Sequence, residues 1–123
     1  MEDKKVILAV DDTPENIHIL VGILGETYKV KAAIDGEKAL KAAKKKPPHL
    51  ILLDIMMPGM DGYEVCEQLK ADPATADVPV VFVTGKTEGS DHEKGLALGA
   101  RGYLTKPVDP GKVIALVQEI LEQ

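Results

Sequence analysis

The chain has 123 residues and carries 15 Lys and Arg against 20 Asp and Glu, a formal charge of −5. At roughly 100–200 residues per domain this is one domain, 1–123, and 45% hydrophobic with 28% charged residues is a globular composition. The acidic balance argues against phosphate-neutralising contact with nucleic acid, the single Cys66 excludes an internal disulfide, and no apolar run approaches the roughly 18 residues of a membrane span.

The N-terminal apolar run Val6 to Val10 is too short for a signal-peptide core, which points to the cytoplasm. It reads instead as a strand buried on both faces under helical layers. Thr13 before Pro14 predicts a helix start. Within that helix Ile17, Leu20, Val21 and Leu24 form a core stripe, while Ile19 and Ile23 point nearly opposite it, either as a docking patch or packed on the last helix. Tyr28 to Ala33 is a more polar strand suited to a sheet edge. A helix over 36–46 stops at Pro47, and Lys41, Lys44, Lys45 and Lys46 complement its dipole.

Leu50 to Leu53 is a second fully apolar strand, and Asp61 with Glu64 predicts a capping box opening the helix that contains Cys66. Val78 to Val83 is a third buried strand, followed by a helix over 91–99 and a second edge strand from Arg101 to Leu104. Asp109 before Pro110 caps a final helix in which Val113, Leu116, Val117, Ile120 and Leu121 form one apolar stripe. The order βαβαβαβαβα implies an α/β domain with parallel strands and right-handed crossovers.

Open parallel sheets bind ligands beyond the carboxyl ends of their strands. There the sequence places Asp11-Asp12 after the first strand, Asp54 after the third, Thr84 at the end of the fourth and Thr105-Lys106-Pro107 after the fifth. Converging carboxylates repel unless a cation is present, and an all-oxygen set without His or Cys favours Mg²⁺, which bridges to phosphate. A carboxylate beside the metal can act as nucleophile to form an acyl phosphate, with Lys106 and Thr84 contacting phosphoryl oxygens. Asp54 is the best-placed nucleophile. Taken alone, Asp11 and Asp12 would also serve as local caps.

The stretches ILAVDD (7–12), LILLDIMMPGMDG (50–62), VVFVTG (80–85) and GARGYLTKP (99–107) together resemble the receiver domain of two-component response regulators along the whole chain. The resemblance implies a flavodoxin-like, doubly wound five-stranded sheet of order 2-1-3-4-5, with helices one and five on one face and two to four on the other. It implies that Asp54 accepts a phosphoryl group from a phosphohistidine on a sensor histidine kinase or histidine phosphotransfer protein, with Mg²⁺. The metal would be held by Asp12, Asp54 and the backbone carbonyl of Met56, with Asp11 acting through water. Thr84 and Lys106 would hold the phosphoryl oxygens, and Gly85 would leave room for the donor. The switch would comprise Thr84, an inward-turning Tyr103 and a Lys106-Pro107 peptide commonly cis in such domains, read out on the surface of helix four, strand five and helix five. The expected protein is therefore a phosphorylation-dependent switch of a downstream protein target, monomeric or dimerising on phosphorylation. It is not an enzyme on an external substrate, and it contacts neither membrane nor DNA directly.

His18, His49 and His92 share no metal-ligand spacing, Cys66 is expected to be unreactive, and Lys86 is placed to influence water access to the phosphoryl group. A haloacid-dehalogenase phosphatase would need a D-x-D after strand one, where Thr13 stands, and the Asp pair would repel the phosphate of a flavin. A receiver-shaped module that is never phosphorylated fits poorly with an intact five-residue site. With no output domain after the last helix, the chain is either a free-standing receiver or the receiver of a longer hybrid kinase or cyclic-dinucleotide signalling protein.

Overall fold

The computed structural model describes residues 4–85 and 89–122, with residues 89–92 as backbone only. Five strands, β1 (Val6–Val10), β2 (Lys29–Ala33), β3 (Leu50–Leu53), β4 (Val80–Thr84) and β5 (Gly102–Thr105), alternate with α1 (Pro14–Leu24), α2 (Gly36–Lys45), α3 (Gly62–Ala71), α4 (Gly89–Ala97) and α5 (Pro110–Leu121). All pairings are parallel and the order is β2-β1-β3-β4-β5. This is the flavodoxin-like topology that the resemblance implies.

The two-residue period of a strand splits the core in two. Leu8, Val10, Ile51, Leu53, Val80 and Phe82 face α2, α3 and the end of α4, whereas Ile7, Ala9, Leu50, Leu52, Val81 and Val83 face α1 and α5. The central strands β1, β3 and β4 are almost wholly buried, which is why their sequences lack polar alternation. The outer strands β2 and β5 keep exposed positions, as expected for edges.

Several expectations are corrected. The fourth strand starts at Val80, because the Val78 N–H closes a turn onto the Thr75 carbonyl at 3.0 Å. The second and fifth strands begin one residue later than predicted, at Lys29 and Gly102. α4 opens at Gly89 and ends at Ala97, with Gly99 at φ 97° and bonds from Ala100 N to Gly95 O and from Gly99 N to Leu96 O that satisfy its terminal carbonyls. Thr13 flanks α1 in extended geometry but makes no side-chain cap. Its backbone N–H instead donates to Asp11 Oδ1 at 2.9 Å.

On α1 the buried stripe is Ile17, Leu20 and Leu24, whereas Val21 is exposed on the outer surface. Ile23 packs against the α1/α5 core and Ile19 stays exposed, so the two residues divide between the alternatives of packing and open surface. Asp61 and Asp109 cap α3 and α5 as predicted, accepting from Glu64 N and Gly111 N. Asp35 does the same for α2 through Lys38 N, a cap the sequence reading missed.

Candidate functional site

The parallel register delivers three chain segments to one rim. The Asp11 N–H bonds the Ala33 carbonyl at 3.1 Å and the Asp54 N–H bonds the Val10 carbonyl at 2.9 Å, so both acids continue their strands by one residue. Each of Asp11, Asp12 and Asp54 offers a carboxylate oxygen, and these atoms lie within 4.8 Å of one another. Asp11 and Asp54 are buried and Asp12 is exposed.

Lys106 arrives from the far edge. Its backbone N–H donates to the Thr84 carbonyl at 2.8 Å, one step beyond the Thr84–Thr105 register pair. Its ammonium then lies 2.8 Å from Asp11 Oδ2 and 3.3 Å from Asp54 Oδ2. The Lys106-Pro107 peptide preceding α5 is cis.

Burial, reinforced by the negative charge of Asp11, holds the Asp54 carboxyl above the usual carboxylate range even though Lys106 pulls it down. Burial alone would lower the Lys106 ammonium, but its hydrogen bond to Asp11 and the charges of Asp54 and Asp11 outweigh that and push it up. Among the described residues, three carboxylates meet one ammonium at this rim. Three carboxylates without a His or Cys among them are the donor set of a hard divalent cation, so the residues fit Mg²⁺.

Thr84 is fully buried at the end of β4. A Cβ added at Gly85 would meet nothing within 4 Å among the described residues. Met56 is 62% exposed and takes no part in the core. The Tyr103 ring lies inward, 6.1 Å from that of Phe82, which in turn stacks edge-on at 5.4 Å from Tyr63.

Outside this rim, the His49 ring accepts from Val6 N at 2.9 Å, a structural role, and His18 is exposed. Cys66 is buried, and burial pushes its thiol up, which fits the unreactive reading. Lys86 lies outside the described residues, as does the side chain of His92.

Sequence reasoning assigned no role to Gly62, where a Cβ would come 2.2 Å from the Asp54 carbonyl oxygen and 2.8 Å from Ile55 Cα. This first residue of α3 lets the helix start directly against the backbone that carries Asp54. Asp61 with Glu64 marks the helix start in the sequence, but nothing local shows what that start touches.

The response regulator receiver domain family matches residues 7–118. The chain belongs to that family. It is similar to the response regulator PleD of Caulobacter vibrioides, 45% identical over 115 residues that cover 93% of this chain and 25% of PleD. A probable cyclic di-GMP phosphodiesterase of Vibrio cholerae is 46% identical over 110 residues, 88% of this chain and 25% of that protein. The chain thus spans about a quarter of these curated relatives. Among solved structures, the receiver domain of the sensor histidine kinase PA1611 from Pseudomonas aeruginosa superposes with a TM-score of 0.89 at 27% identity, covering 98% of this chain and 99% of that one. That structure is described with a magnesium ion coordinated in its active-site cleft.

Proposed function

We propose that this chain is a phosphorelay receiver in which Asp54 accepts a phosphoryl group from a phosphohistidine of a sensor histidine kinase or histidine phosphotransfer protein. The observation that carries the reading is the buried Asp54 carboxylate, 3.3 Å from the Lys106 ammonium and clustered with Asp11 and Asp12. In the transfer, an Asp54 oxygen attacks phosphorus, the P–N bond to the donor imidazole breaks, and an acyl phosphate forms. Lys106 and the Thr84 hydroxyl hold the oxygens of the transferred group, because charge develops there and a fixed cation and donor stabilise it without reorganisation.

Asp12, Asp54 and the Met56 carbonyl would hold Mg²⁺, with Asp11 contributing through water. When bound, the ion supplies positive charge that offsets the carboxylates and the incoming phosphoryl oxygens. The magnesium described in the active-site cleft of the PA1611 receiver supports a metal at this pocket. Asp11 also has work of its own here: its Oδ2 fixes Lys106 and its Oδ1 fixes the Thr13 N–H, so it positions the lysine at the pocket.

The phosphoryl group then biases a two-state element. Thr84 moves toward the new charge, Tyr103 is held in the inward position it already takes against Phe82, and the surface of α4, β5 and α5 changes for a downstream protein. The chain assists only its own phosphorylation and dephosphorylation, acts in the cytoplasm, and works as a monomer or as a dimer formed on phosphorylation. Among the described residues no helix is long and apolar enough to cross a membrane. The similarity to the Vibrio phosphodiesterase favours a second form of the reading, a receiver working within a longer cyclic-dinucleotide signalling protein. A module that is never phosphorylated would have no use for the carboxylate cluster.

Treatment with acetyl phosphate and Mg²⁺, then borohydride reduction, tests the assignment. The acyl phosphate should be reduced to homoserine at position 54, found by peptide mapping. Homoserine at 11 or 12 instead would move the acceptor.

A further inference from the structure

We propose that a lysine-rich trough at the amino-terminal end of the β1–β2 edge binds an extended acidic segment of a partner protein. The trough lies at the opposite end of the strands from Asp11 and Asp54. It is made of two adjoining hollows, of about 620 Å³ and about 250 Å³, which share Val6 and Lys46. Lys4 and Lys29 line the larger and Lys31 and Lys45 the smaller, and among the described residues no Asp or Glu lines either.

The charge is concentrated there against the balance of the chain. Residues 29–46 hold seven lysines and two acids, while the rest has eight cations and eighteen acids. Local roles account for part of this: Lys4 Nζ donates to the Gly25 carbonyl at the end of α1, and Lys44 pairs with Asp72 at 3.7 Å. Among the described residues, Lys29, Lys31, Lys45 and Lys46 enter no ion pair. The lysines of β2 and those of α2 come from separate elements, so helix-dipole complementarity does not explain their convergence.

The shape and floor select the partner. β2 ends the sheet, so among the described residues no strand covers its outer backbone edge. Lysines on such an edge repel basic strands and lose hydration against neutral ones, yet admit a strand that carries carboxylates. Val6, Val30 and Tyr28 on the floor suit apolar side chains alternating with those carboxylates. A concave surface suits a bilayer poorly, and the −5 net charge opposes a long polyanion such as nucleic acid, whose field extends over the whole domain.

The test titrates the isotopically labelled full chain with a synthetic peptide of alternating Glu and Val, following amide shifts by NMR. Shifts should cluster at residues 5–6, 28–31 and 45–46, and the Lys29→Glu/Lys46→Glu double variant should weaken binding about tenfold. The variant should keep its melting temperature and its phosphorylation by acetyl phosphate; if charge reversal impairs folding, Lys29→Gln/Lys46→Gln replaces it. Shifts scattered elsewhere, undiminished affinity in the variant, or no binding would overturn the proposal. So would tighter binding of an oligothymidylate or of phosphatidylglycerol vesicles at equal ionic strength.

Discussion

Lys106 Nζ is 2.8 Å from Asp11 Oδ2, an ion pair between residues 95 positions apart in the chain. It joins the end of β1 to the end of β5 across the rim, with Asp54 between them as the second carboxylate in reach of the same ammonium. Removing the lysine would leave two buried carboxylates facing each other. Lys106→Ala should therefore lose about 1–3 kcal/mol in urea unfolding, with the deficit shrinking in millimolar Mg²⁺ as the metal takes over the neutralisation. The rate of phosphorylation by acetyl phosphate should fall about 10²-fold even with the metal present.

Asp54 carries the pH dependence. Its folded carboxyl titrates above the ordinary Asp range, so its contribution to stability is present below that range and is lost as pH rises through the folded value. Asp54→Asn abolishes that loss. The variant should melt about 4 °C higher than the parent at neutral pH, with the gap closing in acid below the ordinary Asp range. A variant less stable than the parent at neutral pH would contradict the charge reading of the pocket.

Metal binding should appear without any phosphoryl donor. Saturating Mg²⁺ should raise the parent's melting temperature, by about 2.7 kcal/mol of stability at 100 times the dissociation constant, and a chelator should reverse it. Asp12→Asn and Asp54→Asn should each lose most of the shift, as measured by thermal melting.

Gly62→Ala tests how tightly α3 abuts the acceptor loop. The added methyl would overlap backbone atoms of Asp54 and Ile55, which cannot move aside as a side-chain tip can. A loss of about 2–4 kcal/mol is expected by urea unfolding, together with slower acetyl phosphate phosphorylation.

On α1, Ile19 is 51% exposed while Ile23 packs on the second core. Ile19→Lys should change stability by less than about 0.5 kcal/mol, whereas Ile23→Lys should cost about 1–2 kcal/mol. If Ile19 contributes to donor docking, Ile19→Lys slows phosphotransfer from the cognate histidine donor and spares acetyl phosphate; equal slowing of both would remove Ile19 from docking.

Much of this architecture was legible in the sequence because buried parallel strands read as unbroken apolar runs. β1 and β3 were placed to the residue, and Asp61 and Asp109 cap the helices they were expected to cap. Periodicity alone does not give strand order, and the 2-1-3-4-5 arrangement came from family resemblance. Three features escaped because they depend on contacts distant in sequence. Lys29 and Lys31 meet the α2 lysines only because β2 lies at the edge beside them, Gly62 matters only because α3 starts against Asp54, and Val21 looked like core because a spacing rule cannot see where a helix face ends. Lys106 was read as a ligand of phosphoryl oxygen. In the fold it is already paired with Asp11 and Asp54, a role that required knowing the geometry of the rim.

The most direct measurement is intact mass after exposure to acetyl phosphate, with and without Mg²⁺, for the parent and Asp54→Asn. A single phosphoryl adduct on the parent that requires the metal and is absent from the variant is the predicted result. An adduct of equal yield without Mg²⁺, or one that persists in Asp54→Asn, would contradict it.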